Sequence, residues 1–218
     1  MKKQEQNKRI DYEFYAQIAV IVVLVITLFY SWDNPTGNTT VVGLVSASEI
    51  IPTGIPEVYG EELGISYDYV SPNNPKLADD TIRFLGNIDV VETLEGEDME
   101  RYIDILYNQY NGISCEYCCG ARAIIFENGD MACGCAHSYA MRGLTKYLIK
   151  YHPEMSDEQI LTEVGKWKVL FFPGILEGKA SVMKSYGIET SYINLTTNTY
   201  RGIEQGKASG GSSQVGSC

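Results

Sequence analysis

Residues 115–144 read CEYCCGARAIIFENGDMACGCAHSYAMRGL, and the fold turns on this stretch. Five of the six cysteines fall within it, at 115, 118, 119, 133 and 135, and His137 follows two residues later. Between the two cysteine groups, residues 123–126 are strand-like. Asn128-Gly129 is the strongest short signal for a hairpin, because the favoured two-residue turn needs positive φ at both positions. A hairpin there folds Cys133 and Cys135 back against Cys115 and Cys118. Thiolates on turned segments either side of a hairpin converge as a tetrahedral metal site requires. The second knuckle is Cys-x-Cys where zinc ribbons carry Cys-x-x-Cys, so the spacing approaches theirs without matching it. The expected ligands are Cys115, Cys118, Cys133 and Cys135, with Cys119 and His137 as alternates. Zinc is the expected ion, with copper or no metal as alternatives.

Two other readings of the cysteines stay open. In an oxidising compartment they form two disulfides with one thiol left over. Alternatively, Cys115 and Cys118 have the Cys-x-x-Cys spacing of thiol-disulfide oxidoreductases, although Glu116 inside the motif works against the thiolate such a pair needs.

Beyond the cluster the chain reads as helical. A helix beginning near His137 places residues 137, 140, 141 and 144 on one face, which turns the imidazole inward; His152 falls near that helix's C-terminus, facing solvent or the dipole. Ser156-Asp-Glu-Gln159 is a capping box that opens a second helix. Residues 169–172 read as a strand ended by Pro173-Gly174, residues 176–186 as a third helix, and residues 188–195 as a strand. Before the cluster, Pro52, Pro56, Pro72 and Pro75 punctuate a region of short strands and turns, followed by helices over 78–85 and 98–110.

Residues 14–32 (FYAQIAVIVVLVITLFYSW) carry no charge and, as a helix, span about 28 Å, close to the hydrocarbon thickness of a bilayer. Lys2, Lys3, Lys8 and Arg9 precede the run and no basic residue follows until Lys76, so the positive-inside bias puts the N-terminus in the cytoplasm. This predicts an uncleaved single-pass anchor with everything from Asp33 onward outside; Val45-Ser46-Ala47 would suit signal cleavage but lies well past the apolar run.

The net charge of −11 is unevenly held: residues 33–110 carry 15 acidic and 3 basic side chains, residues 111–218 ten of each. With no Lys/Arg run, nucleic acid is excluded as a partner, because that affinity comes mainly from basic side chains. The acidic half reads as a solvated face. No nucleotide loop, Gly-x-Ser-x-Gly elbow, His-Glu-x-x-His or calcium loop occurs, so the common hydrolase and nucleotide-binding classes lack their signatures; a non-catalytic module is preferred and an enzyme stays open. The tail, residues 202–218 (GIEQGKASGGSSQVGSC), is Gly/Ser-rich and ends on Cys218, a thiol that could link a disulfide-bonded oligomer.

Met141-Arg142, Ser156-Asp157-Glu158-Gln159-Ile160 and residues 166–173 (KWKVLFFP) resemble the helical hairpin of the membrane-anchored cytochrome c maturation proteins, over residues 115–173. The resemblance implies a redox role for Cys115 and Cys118 on apocytochrome thiols outside the cytoplasm; the inserted hairpin and three further cysteines depart from that pattern. Cys133-Gly134-Cys135 with His137 is similar to the centre of a family of Cys-Gly-Cys bacterial surface lipoproteins, without their preceding Pro-Cys-Tyr. As a whole the chain resembles uncharacterised single-pass membrane proteins of uncultivated archaea, which implies no activity.

The expected fold is α+β and mainly helical, with an N-terminal transmembrane helix and a small Cys-rich β-hairpin packed on a helical bundle. The expected segments are a cytoplasmic basic stretch (1–13), the transmembrane helix (14–32), an acidic extracytoplasmic part (33–110), a Cys-rich hairpin and helical domain (111–200) and the tail (201–218). The expected function is that of a membrane-anchored binding or scaffold module with a Cys/His metal centre, its partners the bilayer and a protein. The alternative is an extracytoplasmic thiol-disulfide oxidoreductase or metal-delivery protein.

Overall fold

A computed structural model describes residues 20–22, 47–116, 120–206 and 214–216. The chain divides into two units, Met1–Val41 and Val42–Cys218. In the first, residues 20–22 are described; they are helical and exposed. The remainder of the expected membrane run lies outside the described residues, and among those described no helix is long and apolar enough to cross a membrane.

In the second unit, helix α1 (Pro75–Val91) starts where local chemistry favours it. The Asn74 side chain accepts the Leu77 N–H at 3.3 Å, and Pro75 occupies the first helical position, where its missing N–H is not needed. It buries Ala78, Thr81, Ile82, Leu85 and Gly86, a stripe at helical spacing. Helix α2 (Gly96–Ile103) buries Tyr102 and widens into a π turn over Asp104–Asn108. Helix α3 (Ala136–Tyr151) follows the cysteine segment, then α4 (Asp157–Phe171), α5 (Pro173–Ser185) and the short α6 (Tyr192–Thr196). The capping box at Ser156 forms as expected: Ser156 Oγ accepts the Gln159 N–H at 3.2 Å, and Gln159 Oε1 accepts the Ser156 N–H at 2.7 Å.

Helix α3 is the hub. His137, Ala140, Met141, Leu144 and Leu148 are buried on it, against α1 on one side and α4 on the other. Its approach to α1 is close because two glycines meet there. A Cβ on Gly143 would land on the Leu85 carbonyl oxygen and 2.8 Å from the Asp89 nitrogen; one on Gly86 would lie 3.2 Å from the Tyr139 Cβ.

The expected α+β class and its β-hairpin do not form: among the described residues there are no strands, only the isolated bridges Ile113↔Thr197 and Ile125↔Met131. The Asn-Gly turn itself is present, with Gly129 at φ +87, its N–H on the Phe126 carbonyl at 2.9 Å, and Phe126 N–H on Asp130 O at 2.7 Å. What fails is the ladder. Beyond the two bonds that cross the turn, Phe126 N–H on Asp130 O and Ala132 N–H on Ile124 O at 3.1 Å, pairing stops: Ile124 gives its N–H to Ile113 at 2.9 Å, and Arg142 of α3 also bonds the Ile124 and Cys133 carbonyls at 3.2 and 2.7 Å. Ile124 and Ile125 are buried in the helical body, while Phe126 and Met131 stay exposed, so the arms nearest the turn bury too little to extend as strands.

The other strand expectations yield to helix. Residues 169–171 close α4, Phe172 is the C-cap of α4 and precedes α5, and residues 192–196 form α6. The β-branched and aromatic composition that suggests strand at 169–172 is equally that of a helix buried all round, and Val169, Leu170, Phe171 and Phe172 are all buried. Residues 51–75 hold helical turns at Gly60–Leu63 and Tyr67–Tyr69 instead of short strands. Their anchor is Glu163 of α4, whose Oε2 accepts from Tyr59 Oη at 3.0 Å and Tyr67 Oη at 2.5 Å.

Candidate metal centre

Cys115, Cys133 and Cys135 come together at the head of α3, their sulfurs all within 4.8 Å of one another. Cys115 and Cys133 are buried and Cys135 is half-buried. The Cys133 and Cys135 sulfurs are 3.7 Å apart. Two thiolates on a tetrahedral zinc, with Zn–S about 2.3 Å, stand roughly 3.8 Å apart. The Cys115 and Cys135 sulfurs are at 3.1 Å, in contact but beyond the covalent length of about 2.05 Å.

Each thiol is set by its segment. Cys135 is the N-cap of α3, its sulfur accepting the Ser138 N–H at 3.4 Å and lying 3.3 Å from Ser138 Oγ. Hydrogen bonding to Cys115 first, then to His137 and Ser138, lowers the Cys135 pKa far below its usual value, against the opposing effect of burial. Cys133 is held through its carbonyl by Arg142 Nη1; Arg142 Nε in turn bonds Asp89 Oδ2 at 2.8 Å, and Lys146 holds Asp89 Oδ1 at 2.7 Å. On the other side Glu116 forms a fully buried ion pair with Lys168 at 2.5 Å, and Arg201 Nη2 takes its carbonyl at 2.9 Å. Glu116 has φ +23, a backbone conformation unusual outside glycine, sustained by these two contacts.

Of the expected ligands, Cys115, Cys133 and Cys135 converge; Cys118, Cys119 and Cys218 lie outside the described residues. His137 is fully buried, as its helical face suggests, and its Nε2 donates to the Val215 carbonyl at 2.7 Å. His152, expected near a solvent-facing helix end, is the C-cap of α3 and is buried, with Glu62 at 3.1 Å and Glu154 at 3.2 Å. The two ion-pair clasps, Arg142–Asp89 and Glu116–Lys168, escape a reading by residue type. Their signal is positional: Arg142 adjoins the apolar stripe of α3, and Lys168 sits inside an otherwise apolar run.

A second lysine adjoins the Glu116 clasp. Lys168 Nζ also bonds the Thr196 carbonyl at 2.6 Å, and Lys179 Nζ bonds the Leu195 carbonyl at 2.6 Å, so the two amines cap the end of α6. Burial, then the neighbouring Lys168, pushes the Lys179 pKa down to about 8; Arg201 adds to this, and Glu116 and Glu204 oppose it. Between that value and the ordinary 10.5 the unfolded chain binds more protons than the folded one, so this group makes stability rise with pH across that window. Above pH 10 the sign reverses, because Tyr59, Tyr67 and Tyr102 are held protonated beyond their ordinary value chiefly by burial. In urea titrations at pH 8, 9 and 10, wild type should gain up to about 1.4 kcal/mol per pH unit relative to Lys179→Met. Parallel pH profiles would show that Lys179 is not the source.

Fold and site together define a small helical protein with a cluster of three cysteines at one helix start. Comparison with protein-family models, curated proteins and solved structures finds no match for the chain.

Proposed function

We propose that the chain is a metal-binding module, its Cys115, Cys133 and Cys135 thiolates taking a thiophilic cation, with zinc the ion best suited. The observation that carries this reading is the convergence of three sulfurs within 4.8 Å on separately anchored segments. Thiolate donors select zinc or cuprous copper over hard cations. A fourth donor completes a closed structural site, and Cys118 and Cys119, three and four residues beyond Cys115, are the sequence's candidates for it. The metal would tie the 113–135 segment to α3 and leave the rest of the surface for a protein partner. The membrane and extracytoplasmic setting remains a proposal that rests on the composition of residues 14–32.

Metal analysis of the purified chain, with thiol titration before and after a chelator, tests this reading. One zinc per chain with thiols masked until chelation is the expected result. Cys133→Ser should lose the metal and at least tenfold in affinity. Metal-free protein whose thiols react at once would sink the proposal.

One observation favours a second reading: the Cys115 and Cys135 sulfurs are in contact at 3.1 Å, and the Cys135 thiol is acidified. As a redox pair they would form one disulfide while a partner's disulfide is reduced to two thiols, the two electrons and two protons passing to the partner. This pairing differs from the Cys115 and Cys118 pair that the Cys-x-x-Cys spacing suggests. A metal-free chain with one reversibly reducible disulfide would favour it.

A further inference from the structure

Residues 214–216 return to the helical body beside His137. Val215 is 4% exposed; its N–H donates to the Phe171 carbonyl at 2.9 Å, and its own carbonyl accepts from His137 Nε2 at 2.7 Å. Both main-chain polar groups of one residue are thereby matched. The imidazole that reads the carbonyl is fixed between two aromatic rings, Phe171 at 4.9 Å and Phe172 at 5.0 Å. Gly216 follows with φ +86, and a Cβ there would overlap Ile82 Cδ1 and lie 3.3 Å from Asp79 Oδ1. Conformation and space both require glycine at this point. The seat also continues past the residues that fill it. Val215 lines a cavity of about 440 Å³ with Tyr67, Leu170 and Glu177. Asp79 and Ile82, against which Gly216 rests, line a groove of about 340 Å³ with Arg83 and Tyr139.

We infer that this trench is a peptide-binding site for segments that present a small β-branched residue followed by a glycine at positive φ, and that Val215-Gly216 is its resident ligand in cis. The contacts of Val215 and Gly216 among the described residues are ones a separate peptide can make: two main-chain hydrogen bonds, one buried aliphatic side chain and one glycine. The two cavities give room for the residues before and after the pair. Specificity follows from the walls, since the buried seat excludes a charged side chain at the first position and Ile82 excludes any side chain at the second. The occupant is a peptide partner of this pattern, and the chain's own segment competes with it. A ligand on a short tether has an effective concentration on the order of 1 mM, so binding from solution emerges fully only when the resident segment is displaced.

The test uses the full chain with Val215→Asp, which vacates the seat, and a fluorescein-labelled peptide GSSQVGS, residues 211–217, followed by anisotropy. The variant is expected to bind the peptide at least tenfold more tightly than wild type. A peptide with leucine in place of the glycine, or aspartate in place of the valine, should lose at least tenfold on the same variant. Gly216→Leu vacates the seat by a different change and should behave like Val215→Asp, which covers the case in which the first variant does not fold. If both variants keep the helical circular dichroism of wild type and neither binds, the inference is wrong. It is equally wrong if the leucine peptide binds as well as the glycine one, or if both variants fail to fold, which would make the segment plain core. A concentration-dependent dimer of wild type that Val215→Asp abolishes would assign the trench to a second copy of this chain and overturn the peptide reading.

Discussion

Replacing Asp89 by alanine is expected to lower the free energy of unfolding by about 3–5 kcal/mol, the cost of leaving a buried ion unpaired. The carboxylate is 7% exposed and is shared by Arg142, 1% exposed, and Lys146, 15% exposed. Without it, the Arg142 guanidinium remains in the interior between α1 and α3 with no carboxylate bonded to it, and Lys146 keeps only the more distant charge of Glu92. Arg142 still has the Cys133 and Ile124 carbonyls, which satisfy hydrogen bonds but do not neutralise it. Urea denaturation followed by circular dichroism measures the loss. Pairing Asp89→Leu with Arg142→Met should recover much of it, because buried ion pairs often exchange for apolar side chains at little cost. A single variant within 1 kcal/mol of wild type would show that water reaches the pair, and the account of how Cys133 is held would fall with it.

Gly143→Ala is the second large effect, and here two contributions oppose each other. In a helix interior alanine is favoured over glycine by about 1 kcal/mol. Against that, the added methyl lands on the Leu85 carbonyl and 2.8 Å from the Asp89 nitrogen, both backbone atoms of α1 that have no rotamer to escape into. Overpacking costs typically 1–3 kcal/mol and more where rigid backbone must shift. The methyl cannot be absorbed without separating α1 from α3, so a net loss of about 2 kcal/mol or more is expected in the same measurement. Gly86→Ala, whose Cβ approaches nothing nearer than the Tyr139 Cβ at 3.2 Å, should cost less. Equal effects at the two glycines would mean that the helix crossing is looser than these contacts require.

The parts of the fold legible in the sequence are those governed by local chemistry. The capping box at Ser156, the helix start near His137 and the turn at Asn128-Gly129 all depend on neighbours within four residues, and all are present. The strand assigned to 169–172 fails because a short apolar run has no period of its own; what decides it is burial on every side, a property of the finished core. Residues 188–195, read as alternating, are mostly half-buried, and the Ser191 side chain accepts the Asn194 N–H at 3.3 Å to start α6 within them. The hairpin fails for a different reason. Its turn is correct, and Phe126 and Ala132 bond across it, but Ile124 gives its own N–H to Ile113 and Phe126 and Met131 stay exposed, so the pairing goes no further. At the candidate site, the grouping of Cys133 and Cys135 with Cys115 follows from the turn alone. The Glu116–Lys168 and Asp89–Arg142 clasps do not, since each joins residues more than 50 positions apart. The same distance hides the docking of Val215 on His137, 78 residues away.

The sulfur that caps α3 makes one amide a built-in reporter. Ser138 donates its backbone proton to Cys135 Sγ, so the electron density at that proton follows the state of the sulfur. Gaining or losing a proton, binding a cation or joining a disulfide each changes how strongly the sulfur accepts, and each moves the Ser138 resonance in a ¹⁵N-labelled sample. The first turn of a 16-residue helix thus reports the chemistry of its own starting residue, with no probe attached to the protein.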